Sequence, residues 1–213
     1  MRRGMFLALL ALSACIPKAD QRPAARPSKA AIVEASAATR QCHADLTRDA
    51  VEFRILPDQS FDGGCSALGA VQLLDIGTPV TNLGAMTCPL ARSFARWTRE
   101  SVQPAAAQLL GSRIVRVESF GTYACRPVNG QNGNKLSEHG RSNAVDIGAF
   151  VLADGRRVAV LDGWRSDDEQ VRGFLRAVHQ AGCRRFPIGL GPDANSFHAD
   201  HFHFDMGAGP YCR

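Results

Sequence analysis

The sequence predicts a single α+β domain with a mainly antiparallel sheet, flanking helices and disulfide staples. Short segments with alternating apolar residues are separated by turn residues, and two longer stretches carry apolar residues at helical spacing. The seven cysteines leave an even number once the one in the N-terminal leader is set aside. The 213 residues are enough for one domain of ordinary size with a leader and a tether.

The N-terminal residues 1–15 have the features of an export signal. Arg2 and Arg3 precede a short apolar run, and Leu-Ser-Ala-Cys follows, ending at Cys15. This arrangement resembles a bacterial lipoprotein leader, which implies cleavage before Cys15 and a membrane anchor through lipid on its thiol. An ordinary secretory signal is the alternative, and both place the protein outside the cytoplasm. Ile16 after the cysteine favours the periplasmic face of the outer membrane over the inner membrane.

Residues 16–40 predict a flexible tether. They are rich in Ala, Pro, Lys and Arg, and Pro17, Pro23 and Pro27 interrupt any helix. We therefore expect the folded domain to occupy residues 41–213.

The domain is predicted to start with two paired strands and a long helix. The strands cover 51–56 and 71–76, on either side of a glycine turn. The helix covers 90–110, with Thr87 as its N-cap. Pro104 lacks a backbone donor in mid-helix, so we expect it to kink or split this helix.

The sequence of the second half of the domain predicts further strands, one polar loop and one helix. The loop covers 128–141. Asp167 is predicted to cap a helix that runs to Ala181 and is closed by Gly182. Strands are predicted at 113–119, 144–152, 157–161 and 201–206.

Three disulfides are the natural interpretation of the remaining cysteines in an exported protein. Sequence order suggests three pairs, Cys42 with Cys65, Cys88 with Cys125, and Cys183 with Cys212. A cysteine-rich metal site would need close pairs such as C-x-x-C, which this sequence lacks.

The charge pattern argues against nucleic acid as a partner. The formal net charge is +5, but no run of Lys and Arg exceeds two residues. Aromatic residues make up only 7% of the chain and do not interleave with basic ones, as a stacking surface requires. No motif identifies a regulatory protein either.

A loop histidine and a strand aspartate form the first candidate cluster. His139 stands in Ser-Glu-His-Gly, and Asp146 follows seven residues later between Val145 and Ile147. A carboxylate within an apolar strand needs a compensating partner when it is buried, and a divalent cation would serve. Hydrogen bonds from the backbone or an arginine are the alternative.

Three histidines near the C-terminus form the second cluster, in His-Ala-Asp-His-Phe-His-Phe-Asp. In a strand, His201 and His203 would share one face while Phe202 and Phe204 enter the core on the other. Two histidines with one aspartate are a plausible ligand set for catalytic zinc.

These motifs carry a family resemblance. S-x-H-x6-D followed by H-x-x-H-x-H resembles the LAS metallopeptidases, a group of D-alanyl-D-alanine carboxypeptidases, murein endopeptidases and the hedgehog signalling domain. The wider pattern, with G-T-Y-A-C-R, S-E-H, L-G-P and H-F-H-F-D, is similar to the bacterial extensin-like C-terminal domain family. The resemblance implies the LAS/hedgehog-like zinc peptidase fold.

The resemblance also implies roles for individual residues. It makes His139, Asp146 and His203 the zinc ligands, and it matches His201 and His198 to two further active-site histidines of the murein endopeptidase branch.

Other positions bear on the same site. Arg126 resembles an arginine that polarises the scissile carbonyl in related dipeptidases, and pairing with a structural carboxylate is its alternative. The carboxypeptidase branch of the LAS group uses a Glu ahead of a Trp-His pair, and this sequence has no Glu there. Asp200 is the only nearby carboxylate that could replace it as general base. Ser142 stands where the group commonly has Gly.

We therefore expect a zinc-dependent peptidoglycan hydrolase of endopeptidase or carboxypeptidase type. His201 would take the proton of the attacking water, and Arg126 or His198 would stabilise the oxyanion. One alternative is a catalytically idle, metal-containing lipoprotein that binds cell wall or protein. Another is a disulfide-stapled structural lipoprotein whose histidines are satisfied by hydrogen bonds.

Overall fold

A computed structural model describes the chain from residue 29 to residue 213, with side chains from residue 37 onward. The predicted signal peptide, Cys15 and residues 16–28 of the predicted tether lie outside the described residues. Over residues 29–213, no helix combines the length and the apolar character needed to cross a bilayer.

The first helix corrects the predicted tether boundary. Helix α1 begins at Lys29, so residues 29–40 are helical rather than flexible coil. No proline follows Pro27 in this stretch, and the five alanines between residues 29 and 40 favour the helix. The helices are α1 Lys29–Arg48, α2 Cys88–Trp97, α3 Gln103–Leu110, α4 Val160–Gly163 and α5 Glu169–Arg185.

The predicted α+β class with mostly antiparallel strands is confirmed. Twelve strands are described in residues 29–213: β1 Glu52–Ile55, β2 Gln59–Ser60, β3 Ser66–Ala67, β4 Ala70–Asp75, β5 Val80–Thr81, β6 Met86–Thr87, β7 Ile114–Gly121, β8 Ala144–Leu152, β9 Arg157–Ala159, β10 Ile188–Leu190, β11 Phe202–Asp205 and β12 Tyr211–Cys212. The largest sheet has the order β12-β10-β11-β8-β7-β5, with β9 also paired to β8. A smaller sheet has the order β1-β4-β6, as expected from the predicted first strand pair, and β2 and β3 form a hairpin between its first two strands.

The long predicted helix is interrupted before Pro104, as expected. A π-helical turn at Thr98–Val102 separates α2 from α3, and the Gln103 amide donates to the Thr98 carbonyl five residues back. Thr87, in contrast, does not cap α2 through its side chain. Its hydroxyl lies 2.7 Å from Asn143 Oδ1 instead, which ties the start of α2 to the loop after His139.

Helix α5 is longer than predicted, and its cap is Asp168 rather than Asp167. The Asp168 carboxylate accepts hydrogen bonds from two backbone amides of the first turn. Gly182, which was predicted to end the helix, lies inside it. A glycine is needed at this position because the ring of Phe204 packs against it, and an added Cβ would lie only 2.3 Å from the ring. The strand predicted at 157–161 ends at Ala159, where α4 begins.

The core lies between the large sheet and helices α2, α3 and α5. Phe202, Phe204 and Trp97 are fully buried, and the rings of Trp97 and Phe204 pack edge to face at 5.3 Å. The Trp97 indole donates to the carbonyl of Val178 on α5 at 2.9 Å. This packing holds β11 firmly in place behind the polar face of the sheet.

Three disulfides join Cys42 to Cys88, Cys65 to Cys125, and Cys183 to Cys212. The third pair is the one suggested by sequence order, and the first two suggested pairs are wrong. Because α1 packs against α2, Cys42 meets Cys88 at the start of α2, and Cys65 is left to bond Cys125 beside the site loop.

Candidate metal centre

Strands β8 and β11 bring two polar residues together in the middle of the large sheet. The strands pair antiparallel, with His203 directly opposite Asp146. Phe202 and Phe204 are fully buried in the core, and His203 points to the opposite face. The predicted division of this segment between a core face and a polar face is therefore confirmed.

The loop before β8 supplies the third member of the cluster. His139 lies in a short 3-10 helix, Glu138–Arg141, whose N-cap Ser137 accepts from the His139 amide at 3.3 Å. Ser142 ends the turn with a left-handed φ of 53°. Glycine adopts this conformation most readily, so a serine here is strained. The Ser142 hydroxyl offsets the strain by bonding to the carbonyl of Ser66 at 3.3 Å.

The donor atoms of three side chains converge at one point. His139 Nε2 lies 3.1 Å from His203 Nδ1 and 3.0 Å from Asp146 Oδ2, and His203 Nδ1 lies 2.8 Å from Asp146 Oδ1. Tetrahedral ligands about 2.1 Å from a metal ion are roughly 3.4 Å apart. The three atoms would need to separate by only a few tenths of an ångström to hold one ion.

The outer nitrogens of both imidazoles face acceptors. His139 Nδ1 lies 3.3 Å from the Thr122 carbonyl oxygen, and His203 Nε2 lies 2.8 Å from Asp205 Oδ2. Each outer nitrogen therefore carries a hydrogen, so in the neutral rings the inner nitrogens present lone pairs towards the Asp146 carboxylate. Three acceptors facing one another are stabilised by a positive charge between them, either a proton on an inner nitrogen or a metal ion, and the residues present fit a divalent metal.

The buried charges of the cluster support this interpretation. Burial alone would raise the pKa of Asp146, but hydrogen bonds from His139 and His203 hold it well below its ordinary value. Burial likewise opposes charge on His203, yet its hydrogen bonds to Asp146 and Asp205 raise its pKa to about 9. The surroundings of these ligands therefore favour positive charge at their centre, carried by a proton or by a metal ion.

His201 flanks the cluster and is held by a carboxylate. Its Nδ1 lies 2.8 Å from Asp200 Oδ1, and its Nε2 lies 3.6 Å from Asp146 Oδ1. The ring of Phe120 packs against it, with ring centroids 5.7 Å apart. Asp200 therefore fixes the ring orientation and leaves Nε2 directed at Asp146.

His198 lies beside both His201 and His203, with its ring centroid 5.1 Å from the first and 5.5 Å from the second. Its Nδ1 lies 2.8 Å from Asn195 Oδ1, an oxygen that also accepts from the Phe197 amide at 3.0 Å. Burial, together with the charges of His203 and His201, lowers the pKa of His198 to about 4. His198 is therefore neutral at physiological pH, with its hydrogen on Nδ1 and a lone pair on Nε2.

Arg126 lies at the rim of the site with an exposed side chain. Within the described part of the chain, no carboxylate lies within ion-pair distance of its guanidinium, so the alternative of a structural salt bridge is not supported. The neighbouring Cys125 is bonded to Cys65, which fixes the backbone at this point. The positive charge of Arg126 acts on His198 and is thus close enough to influence the centre.

A cavity of about 430 Å³ opens onto these residues. A second cavity of about 370 Å³ opens onto the cluster beside Phe120 and Gly121 of β7, which pairs with β8 on the side away from β11. Both are lined in part by Arg126, His139, Asp146, Phe197 and His201. All residues predicted for the site are therefore brought together, and the three predicted ligands are accessible from the first cavity.

Sequence reasoning missed the outer partners of the two ligand histidines. Asp205 stands two residues after His203, so strand alternation placed it on the same face and could have identified it. Thr122 contributes only a backbone carbonyl, and no sequence signal marks such a group.

A second group of possible ligands consists of His179, Cys183 and Cys212. Its two cysteines are bonded to each other, so neither offers a thiolate. His179 is buried behind β11, against Phe202 and Phe204, as a core histidine. Of the two groups in the described residues, only the first suits a metal.

Fold and site together define a single-domain α+β protein with a buried His-Asp-His cluster suited to a divalent cation. The chain belongs to the extensin-like protein C-terminus family, whose sequence model matches residues 40–213. No curated protein and no solved structure matches the chain. The matched region includes every residue of the candidate centre.

Proposed function

We propose that this protein is a zinc-dependent hydrolase that cleaves an amide bond in the peptide part of peptidoglycan. The convergence of His139, Asp146 and His203 carries the proposal, because their donor atoms already lie 2.8–3.1 Å apart with both outer nitrogens hydrogen-bonded. The resemblance of the ligand motifs to LAS metallopeptidases supports the substrate class.

The donor set favours zinc among the common divalent ions. Two imidazole nitrogens and one carboxylate oxygen suit zinc, whereas magnesium and calcium prefer oxygen ligands alone. Three protein ligands leave room for solvent or substrate, as catalytic zinc sites require. When bound, zinc would polarise the scissile carbonyl and make water a better nucleophile at neutral pH.

His201 is the proposed proton carrier. Its Nδ1 donates to Asp200 Oδ1 at 2.8 Å, so its Nε2 can accept the proton that the attacking water loses. The same nitrogen can then protonate the leaving amine. In this proposal His201, oriented by Asp200, takes the role of general base that a Glu has in the carboxypeptidase branch.

Arg126 rather than His198 is the proposed oxyanion donor. Asn195 accepts the hydrogen on Nδ1 of His198, so neutral His198 has only a lone pair on Nε2 and cannot donate there. The guanidinium of Arg126 carries fixed donors and lines both cavities. It can therefore bind the oxygen on which negative charge develops.

The proposed location is the periplasm, with a lipid anchor on Cys15. This part of the proposal rests on the leader sequence, which ends in Leu-Ser-Ala-Cys. An immobile wall polymer is a suitable substrate for an anchored enzyme. Mass spectrometry of the intact mature protein tests this part. The wild type should show the added mass of a diacylglycerol on Cys15, and the Cys15→Ser variant should lack it.

Digestion of purified sacculi tests the proposed activity. The zinc-loaded protein should release peptide fragments with new amino termini, identified by mass spectrometry. The His203→Ala variant should lose both zinc and activity, whereas His201→Ala should retain zinc and lose about 100-fold or more in kcat. His43→Gln, which changes a histidine on α1 outside both cavities, is the matched control.

Identical blank profiles from the zinc-loaded wild type and from His203→Ala would contradict the hydrolase proposal. Retention on sacculi by the zinc-loaded protein without cleavage would instead support the alternative of an idle wall-binding lipoprotein.

A further inference from the structure

The metal centre lies between two cavities rather than at the end of one. The first, of about 430 Å³, extends from the three ligands towards Ile188, Leu190 and Tyr211. The second, of about 370 Å³, extends towards Phe120 and Tyr123. Strands β10 and β12 lie on one side of the β11–β8 pair in the sheet and β7 lies on the other, so the two cavities extend in opposite directions. The two meet at the cluster, where they share lining residues. A chain bound across the centre could therefore occupy both.

The second cavity has an aromatic wall, here called the aromatic arm, formed by Phe120, Tyr123 and Phe197. Their exposed fractions are 56%, 38% and 47%. The ring of Phe61, also exposed, extends this arm at 5.5 Å from Tyr123. Clustered exposed aromatic rings beside a polar centre are typical of a binding surface, because leaving such rings in water is unfavourable.

The backbone is adapted to the aromatic arm. Phe120 lies over Gly148, where an added Cβ would come within 2.4 Å of the ring. Only a glycine leaves room for this ring position, two residues beyond the metal ligand Asp146 on the same strand. Arg126 and Asp200 add charged groups of opposite sign to the wall of the same cavity. The arm can thus bind both apolar and polar parts of a chain.

We infer that the substrate passes through both cavities, so that the bond at the metal centre is internal to an extended peptide chain. The aromatic arm then binds the part of the chain beyond the cleaved bond. This inference rests on the proposed function and narrows it to an endopeptidase. A site dedicated to terminal residues would need a wall on one side of the metal, where this protein has the second cavity.

Two peptidoglycan fragments test the inference. One is a cross-linked dimer of stem peptides, in which the bridging amide is internal, and the other is a single stem pentapeptide. Binding of each is measured calorimetrically with the zinc-loaded His201→Ala protein, in which turnover is suppressed. The Tyr123→Ala change is added in this background to truncate the aromatic arm. The control is Leu161→Ala, an exposed apolar residue outside both cavities.

The dimer should bind more tightly than the single stem. Tyr123→Ala should weaken dimer binding about tenfold and change single-stem binding less than twofold, because only the dimer reaches the arm. Leu161→Ala should change neither. Equal effects of Tyr123→Ala on both fragments, equal affinities for the two fragments, or no binding of the dimer would each overturn the inference.

Hydrolysis by the protein with intact His201 separates this inference from the proposed function. Cleavage of the dimer at the bridging amide, with slower release from the single stem, supports both. Length-dependent binding without any cleavage supports the two-sided cleft and contradicts the hydrolase. Faster cleavage of the single stem supports the hydrolase and overturns the internal-bond inference.

Discussion

His203 and Asp146 face each other directly across the pairing of β11 and β8, with His203 Nδ1 2.8 Å from Asp146 Oδ1. Because neighbouring residues of a strand point to opposite faces, a register slip of one residue would place a phenylalanine opposite Asp146. The burial of Phe202 and Phe204 in the core prevents such a slip. The apolar face of β11 therefore fixes the position of His203, the proposed metal ligand, on its polar face.

Asp205 supports this arrangement from outside the ligand set. It accepts from His203 Nε2 at 2.8 Å and from the Gly207 amide at 2.7 Å, so it fixes both the ring and the tautomer of His203. We expect Asp205→Asn to lower zinc affinity roughly 10- to 100-fold, as measured by competition with a chromophoric chelator. Asp154→Asn, at a surface turn, is the control and should not change the affinity. Equal affinities of the two variants would show that Asp205 has no such role.

Gly148 leaves room for the Phe120 ring, which packs against His201. In Gly148→Ala the new methyl group would clash with the Phe120 ring, which is exposed enough to swing into solvent. We expect the free energy of unfolding to change by less than about 1 kcal/mol, because little buried contact is lost. The imidazole resonances of His201 should shift in NMR spectra, because the ring current of Phe120 is removed.

Gly173→Ala is the matched control for this change. Gly173 lies in α5, where an added Cβ would have no atom within 4 Å, so alanine should leave the His201 resonances unchanged. It should also stabilise the helix by about 0.5–1 kcal/mol. Unshifted His201 resonances in Gly148→Ala would show that Phe120 does not position His201.

His179 should make stability depend on pH. Its side chain is only 6% exposed, and burial lowers its pKa from 6.5 to about 4. Folding therefore disfavours protonation, so the contribution of neutral His179 is fully present above pH 6.5 and is lost as the pH falls towards 4. Between about pH 7 and about pH 4.5 this loss should be about 2–3 kcal/mol.

Urea unfolding at the two pH values measures the effect. The His179→Leu variant removes the titrating group, so it should lose less stability than the wild type over the same interval. Equal losses in both proteins would show that His179 does not contribute. Other groups that titrate in this range affect both proteins alike and cancel in the comparison.

The site residues were easier to predict from the sequence than the disulfide pairing and the helix end. Both ligand motifs are local: the His203 strand alternates visibly with phenylalanine, and Asp146 stands between valine and isoleucine. The pairing of Cys42 with Cys88 depends instead on α1 packing against α2, which no local pattern encodes. The position of Gly182 inside α5 likewise depends on a distant ring, that of Phe204.

Weak local signals explain the remaining differences. Strands β10 and β12 are three and two residues long, too short to show alternation, and both are defined by pairing at the edge of the large sheet. Helix α1 lacks an apolar periodicity strong enough to separate it from a tether, although its alanines favour a helix. Such elements are selected by tertiary contacts rather than by their own sequence.

Anomalous diffraction at the zinc absorption edge, from crystals of the zinc-loaded protein, would locate the ion. We predict a single strong peak within about 2.0–2.2 Å of His139 Nε2, His203 Nδ1 and one oxygen of Asp146. A site without a peak, or a peak bound elsewhere while these three side chains remain bonded to one another, would contradict it.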